Sequence, residues 1–123
     1  MLESILFFTG RTVLGLFFIF MGLNHFTVFQ QMRDFSEGRG VPFPGVAVAV
    51  TGVLLISGGV SVLGGFFVHW GLGMLILFLV VVTPWIHSYW RFDDPHRKQE
   101  EQLHFMKNLA LLGALLMLWQ LWA

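Results

Sequence analysis

Four long apolar runs decide what this chain can fold into. Ile5–Leu23 is broken only by Thr9, Arg11 and Thr12. Pro44–Leu63 is built from Val, Ala, Leu, Ile, Gly and small hydroxyls. Phe66–Ile86 is apolar except for His69 and Thr83, and Leu103–Trp122 except for His104, Lys107, Asn108 and Gln120. Each run reaches the roughly 20 residues that carry a helix across a hydrocarbon layer about 30 Å thick. A backbone in lipid must satisfy its own hydrogen bonds, which restricts it to helices or closed barrels. No run alternates with the two-residue period of a transmembrane strand. The expectation is therefore an all-α fold: a transmembrane four-helix up-down bundle. It forms a single domain over 1–123, with spans near 5–23, 44–63, 66–86 and 103–122.

Composition agrees. Of the 123 residues, 56% are hydrophobic and 11% charged, against about 25% charged in a typical soluble chain. Formal net charge is zero, which argues against a nucleic-acid partner and leaves membrane lipids as the expected surroundings. There is no cysteine, so disulfides, thiolate metal sites and dithiol relays are excluded for this chain alone. The first run has neither a basic leader nor an A-x-A-like cleavage site, and is expected to be a retained helix.

Three connections join the runs. The shortest is Gly64–Gly65, which predicts a tight hairpin between spans two and three. In the first, Phe26, Phe29, Met32 and Phe35 recur every three residues among Gln30, Gln31, Arg33, Asp34 and Glu37. That pattern suits a short amphipathic helix lying at the membrane surface, ended by "GRGVPFP" at 38–44. The third connection, 87–102, holds most of the charge. Asp94 before Pro95 marks an N-cap and first helical residue. A helix from Pro95 to Trp122 would be roughly 42 Å long and protrude from the membrane by about two turns. Arg33, Arg39, Arg91, Arg97 and Lys98 all lie in connections one and three. The excess of basic residues places those connections in the cytoplasm and both termini outside.

Small residues mark the expected helix contacts. Gly45, Ala49, Gly52 and Gly59 fall near one stripe of span two, where a neighbouring backbone can come close. In span one, Arg11, Gly15, Phe18, Gly22 and His25 share a face. Arg11 has two readings, snorkelling to the outer surface near Glu3 or a buried cation that holds a carbonyl cluster or an anionic lipid; a structural role is preferred.

Read together, "GRTVLGLFFIFMGLNHF" (10–26), "GVPFP" (40–44), "GGVSVLGG" (58–65), "HSYW" (87–90) and "HFMKNLALLGALL" (104–116) resemble the DoxX family of small four-helix membrane proteins, over essentially the full length. The resemblance implies a multi-pass protein of a prokaryotic cytoplasmic membrane. It also implies a link to redox complexes, because some relatives are subunits of a thiosulfate:quinone oxidoreductase. Many relatives carry a glutamate three residues before the paired glycines of span two. Here that position is Leu55, so any role of that carboxylate is missing.

The polar residues gather at three run ends: Asn24 and His25; His87, Tyr89 and Trp90; and His104, Lys107 and Asn108. With alternating helices all three groups fall at the same interface. Lys107 can snorkel, whereas Asn108 carries no charge to relieve and would gain from an interhelical hydrogen bond. The structural reading makes these residues, and the histidines, hydrogen-bonded interfacial groups. The sharper reading is a quinone headgroup site: His25, His87, Lys107 and Asn108 as donors, Trp90 or Phe105 against the ring, and a histidine able to titrate near neutrality. Haem would need opposed histidines, conceivable for His25 with His87 or His104 but disfavoured. A zinc site would need three or four converging ligands, and no H-x-x-H spacing is present, so no metal is expected.

The function expected from these features is an integral-membrane accessory or anchor subunit of a respiratory or redox complex, touching quinone and other membrane subunits. Any enzymatic role would be as part of a quinone-linked oxidoreductase. The alternative is a non-catalytic structural or lipid-binding subunit between larger membrane proteins. A carrier of small apolar solutes is disfavoured by the lack of acids within the runs.

Overall fold

The computed structural model describes residues 1–122. All regular structure among them is helical: α1 Leu2–Thr27, α2 Phe29–Gly38, α3 Pro44–Gly64, α4 Val68–Ile86, a short 3-10 turn at Tyr89–Arg91, and α5 Pro95–Leu121. The apolar runs are thus helices, and the surface helix expected in the first connection is α2. Five α-helices form in all among the described residues.

Among the described residues, three segments are long and apolar enough to cross a membrane: Leu2–Thr27, Pro44–Gly64 and Val68–Arg91. The fourth expected span, 103–122, is helical but does not join them on length and composition. His104, Lys107 and Asn108 interrupt its apolar character, and lysine and amide side chains are costly in hydrocarbon.

The chain divides into two compact units, Met1–Leu75 and Ile76 onward. In the first, α1 and α3 pack antiparallel along glycines. A Cβ added to Gly15 would lie 2.9 Å from the carbonyl oxygen of Gly59, and one on Gly59 2.7 Å from that of Gly15. One turn-pair further along α1, a Cβ on Gly22 would lie 2.8 Å from the Gly52 carbonyl oxygen. Backbone therefore meets backbone where the sequence placed its small residues. Close approach of this kind replaces the hydrophobic drive that lipid does not supply. The buried face of α1 is Gly15, Phe18, Gly22 and His25, as its spacing predicts. Leu55 is buried. The amphipathic α2 lies on the start of α3, with the Phe29 ring and the Arg33 stem each 3.7 Å from where a Gly45 Cβ would be.

Gly65 takes the left-handed φ of 74° that ends α3, a conformation glycine adopts without strain. The Ser61 hydroxyl fixes the turn by donating toward the carbonyls of Phe66, at 2.6 Å, and Phe67, at 2.9 Å. Arg11 sits beside this turn. Its guanidinium nitrogens lie 3.1 and 3.2 Å from where a Gly65 Cβ would be, and its guanidinium carbon is 5.3 Å from the Phe8 ring centroid. A cation is favourable at a helix C-terminus, where carbonyls carry partial negative charge.

In the second unit α5 starts at the expected cap. The Asp94 carboxylate accepts from the His96 amide at 3.2 Å, and Pro95 occupies the first turn, where its missing N–H costs nothing.

Candidate functional site

The end of α4 and the first turns of α5 bring polar side chains together inside the second unit. Asn108 donates through Nδ2 to Thr83 Oγ1 at 3.1 Å, and both residues are buried. His87 Nδ1 lies 2.7 Å from Glu101 Oε2. Glu101 is buried at 6% exposure, unusual for a carboxylate. Arg97 Nε stands 3.9 Å from its other oxygen. The His104 ring lies 5.1 Å from that of His87, tilted by 31°.

Helical spacing explains the gathering. Glu101, His104, Phe105 and Asn108 are related by three and four residues, so they share one side of α5. Thr83 and His87 are four apart on the opposing segment, and the His87 amide donates to the Thr83 carbonyl at 3.1 Å. Next to these groups is an aromatic trio. Tyr89 and Trp90 are 5.2 Å apart, Tyr89 and Phe105 5.5 Å, and Trp90 and Phe105 5.7 Å, all edge-to-face. Trp90 remains 55% exposed, which leaves indole surface for another molecule.

The site residues expected from sequence divide between the units. His87, Trp90, Lys107 and Asn108 belong to the second. Asn108 makes its expected interhelical hydrogen bond, and half-buried Lys107 adjoins it in sequence. His25 and Asn24 belong to the first. His25 is buried, and its Nδ1 donates to the Met21 carbonyl one turn earlier at 2.8 Å. The Asn24 carbonyl accepts from the Val28 amide at the end of α1. Arg11, Gly15, Gly22, Gly52 and Gly59 likewise belong to the first unit.

Two members of the cluster were not among the expected residues. Thr83 reads as one small hydroxyl in an apolar run. Glu101 reads as part of a solvated charged connection. Its signal was positional: it is three residues before His104 and seven before Asn108, on the side of α5 that carries both. Among the described residues, no group of three or more His, Asp or Glu side chains could hold a metal ion.

The arrangement of α1 to α4 is accompanied by a direct family match. The DoxX family model matches residues 6–88. The chain belongs to the DoxX family. No curated protein and no solved structure matches it. The matched stretch of this DoxX protein holds Arg11, the glycine seam, Thr83 and His87. Glu101, His104, Lys107 and Asn108 lie beyond it, so the cluster joins residues inside the family match to residues outside it. Family membership and three apolar helices make the chain a membrane protein.

Proposed function

We propose that this DoxX protein is a four-span accessory or anchor subunit of a membrane redox complex, and that the α4–α5 cluster receives a quinone-type headgroup. The observation that carries the reading is the joining of a hydrogen-bonded polar set (buried Thr83, Glu101 and Asn108 with part-buried His87) to a partly exposed aromatic trio. A quinoid ring needs a flat apolar wall and a small number of polar groups placed for its oxygens. His87 and Asn108 supply polar groups; Trp90 and Phe105 supply the wall. The site rests on second-unit residues alone, and His25 has no part in it.

In this reading the apolar stretch of α5 is the fourth span. His104, Lys107 and Asn108 then lie within its first turns, near enough to an interface for Lys107 to reach water. The five basic residues of connections one and three put those connections in the cytoplasm of a prokaryotic cell and the termini outside. A periplasm-active reporter fused after Ala123 should be active and a cytoplasm-active one silent; the reverse would overturn the orientation.

The function is tested by gentle purification from native membranes and identification of the bound lipids and proteins. Quinone and a larger membrane subunit are expected together. Trp90→Ala should lower the quinone content while thermal stability in detergent stays near wild type. A constant protein partner with no quinone would replace this reading by that of a structural subunit.

A further inference from the structure

The direction of one hydrogen bond carries more than the presence of the site. Neutral imidazole has one nitrogen that donates and one that accepts, and the partner of the first fixes the role of the second. Nδ1 of His87 faces Glu101 Oε2 at 2.7 Å. The guanidinium of Arg97 stands 3.9 Å from Oε1 of the same carboxylate, so Glu101 takes the part of a charged acceptor and Nδ1 that of the donor. Nε2 is then the nitrogen with the lone pair. The His87 ring makes no other hydrogen bond among the described residues; the tilted ring of His104 lies beside it, and the charge of Lys107 acts on it.

A quinone offers only carbonyl oxygens, which accept. Its reduced form offers hydroxyls, which donate. An Nε2 lone pair turned toward the ligand meets a quinone oxygen lone pair to lone pair, but satisfies a quinol hydroxyl. We propose that the Glu101–His87 pair makes Nε2 of His87 a hydrogen-bond acceptor, so that the site takes the quinol in preference to the quinone. This rests on the quinone-type reading above. Glu101 is then a positioning residue: it acts on the ligand only through the tautomer and orientation of His87. The same carboxylate stabilises the imidazolium that forms if His87 takes the quinol's proton, as carboxylates do for histidine in hydrolytic triads.

The test compares a short-chain benzoquinol with the matching benzoquinone. Both are titrated anaerobically by calorimetry into the whole chain in lipid nanodiscs. At about pH 8, where free imidazole is neutral, the quinol should bind more tightly by roughly tenfold, the ratio expected when a buried acceptor is matched rather than mismatched. Glu101→Gln keeps the shape but offers an amide N–H to Nδ1. That flips the tautomer, and the preference should invert toward the quinone.

A second measurement needs no variant. A protonated His87 would donate from Nε2, so the wild-type preference for quinol should shrink or reverse once the pH falls low enough to charge the ring. The charged and titratable groups facing His87 are Glu101, His104 and Lys107, with Arg97 behind Glu101. His104→Asn should therefore leave the direction of the pH effect unchanged.

Equal binding of both forms by the wild type, or an unchanged preference in Glu101→Gln, would overturn the acceptor assignment and leave the quinone-type site standing. Failure of both probes to bind would overturn both.

Discussion

The two units hold their helices together by different means. In the first, α1 and α3 meet through glycines, with carbonyl oxygens where side chains would otherwise stand. In the second, polar and aromatic contacts join the segments: Asn108 on Thr83, Glu101 on His87, and three rings edge to face. Neither unit can draw on the water-driven burial that assembles soluble bundles, since lipid tails are as apolar as leucine. The comparison teaches that the two routes left in lipid, close backbone approach and side-chain hydrogen bonding, can be assigned to different parts of one short chain. One part then joins its helices chiefly by backbone approach, and the other chiefly by polar and aromatic side chains.

The sharpest way to break this division is to fill the seam. Gly59→Val would push carbon into the Gly15 carbonyl and the Ile19 backbone nitrogen, 2.7 and 2.9 Å from the first added atom. Backbone cannot step aside as a side-chain tip can, so a loss of about 3 kcal/mol is expected, measured by chemical unfolding in mixed detergent. Near wild-type stability would mean that the seam is not what joins these helices.

Next in size is Glu101→Ala, which removes a buried charge-assisted partner from His87. A cost of about 2 kcal/mol is expected, with Glu101→Gln recovering part of it. If both variants were as stable as wild type, the pair would contribute nothing to folding and its burial would be purely functional.

A smaller effect is expected from Asn108→Leu, because hydrogen bonds between membrane helices average only about 0.6 kcal/mol and reach roughly 1.7 at most. A double-mutant cycle with Thr83→Val separates the pair from simple changes in apolarity. Additive losses would show that the 3.1 Å contact is not energetically coupled.

The smallest change is Gly113→Ala. Gly113 has nothing within 4 Å of a Cβ position, so it lies outside any seam. Alanine there should be neutral or stabilising by up to about 1 kcal/mol through helix propensity. The contrast with Gly59 tests whether packing, rather than glycine itself, distinguishes the two positions.

The sequence made much of this visible, and the reasons are local. Spans are legible because lipid sets their length. The start of α5 is legible because an N-cap aspartate and a following proline act within one turn. The α1 face is legible because Arg11, Gly15, Phe18, Gly22 and His25 are spaced by the helix itself. What escaped depends on partners distant in the chain. Glu101 belongs to a charged stretch that looks solvated, and only His87, fourteen residues earlier, makes its burial affordable. Thr83 becomes a polar contact only when Asn108, twenty-five residues later, arrives beside it. His25 shows the converse: grouped with the donors by its place at a run end, it is satisfied by its own helix.

The glycine seam also bears on how the protein is made. Everything the seam needs lies between Gly15 and Leu63, and Arg11 and Gly65 close one end of it. Synthesis proceeds from the N-terminus, and early segments assemble while later ones are still being added. The α1–α3 pair therefore has all its contact residues synthesised before the first residue of α5, Pro95, is added. The residues most costly to place in lipid, Lys107 and Asn108, are thus made only after every residue of the seam.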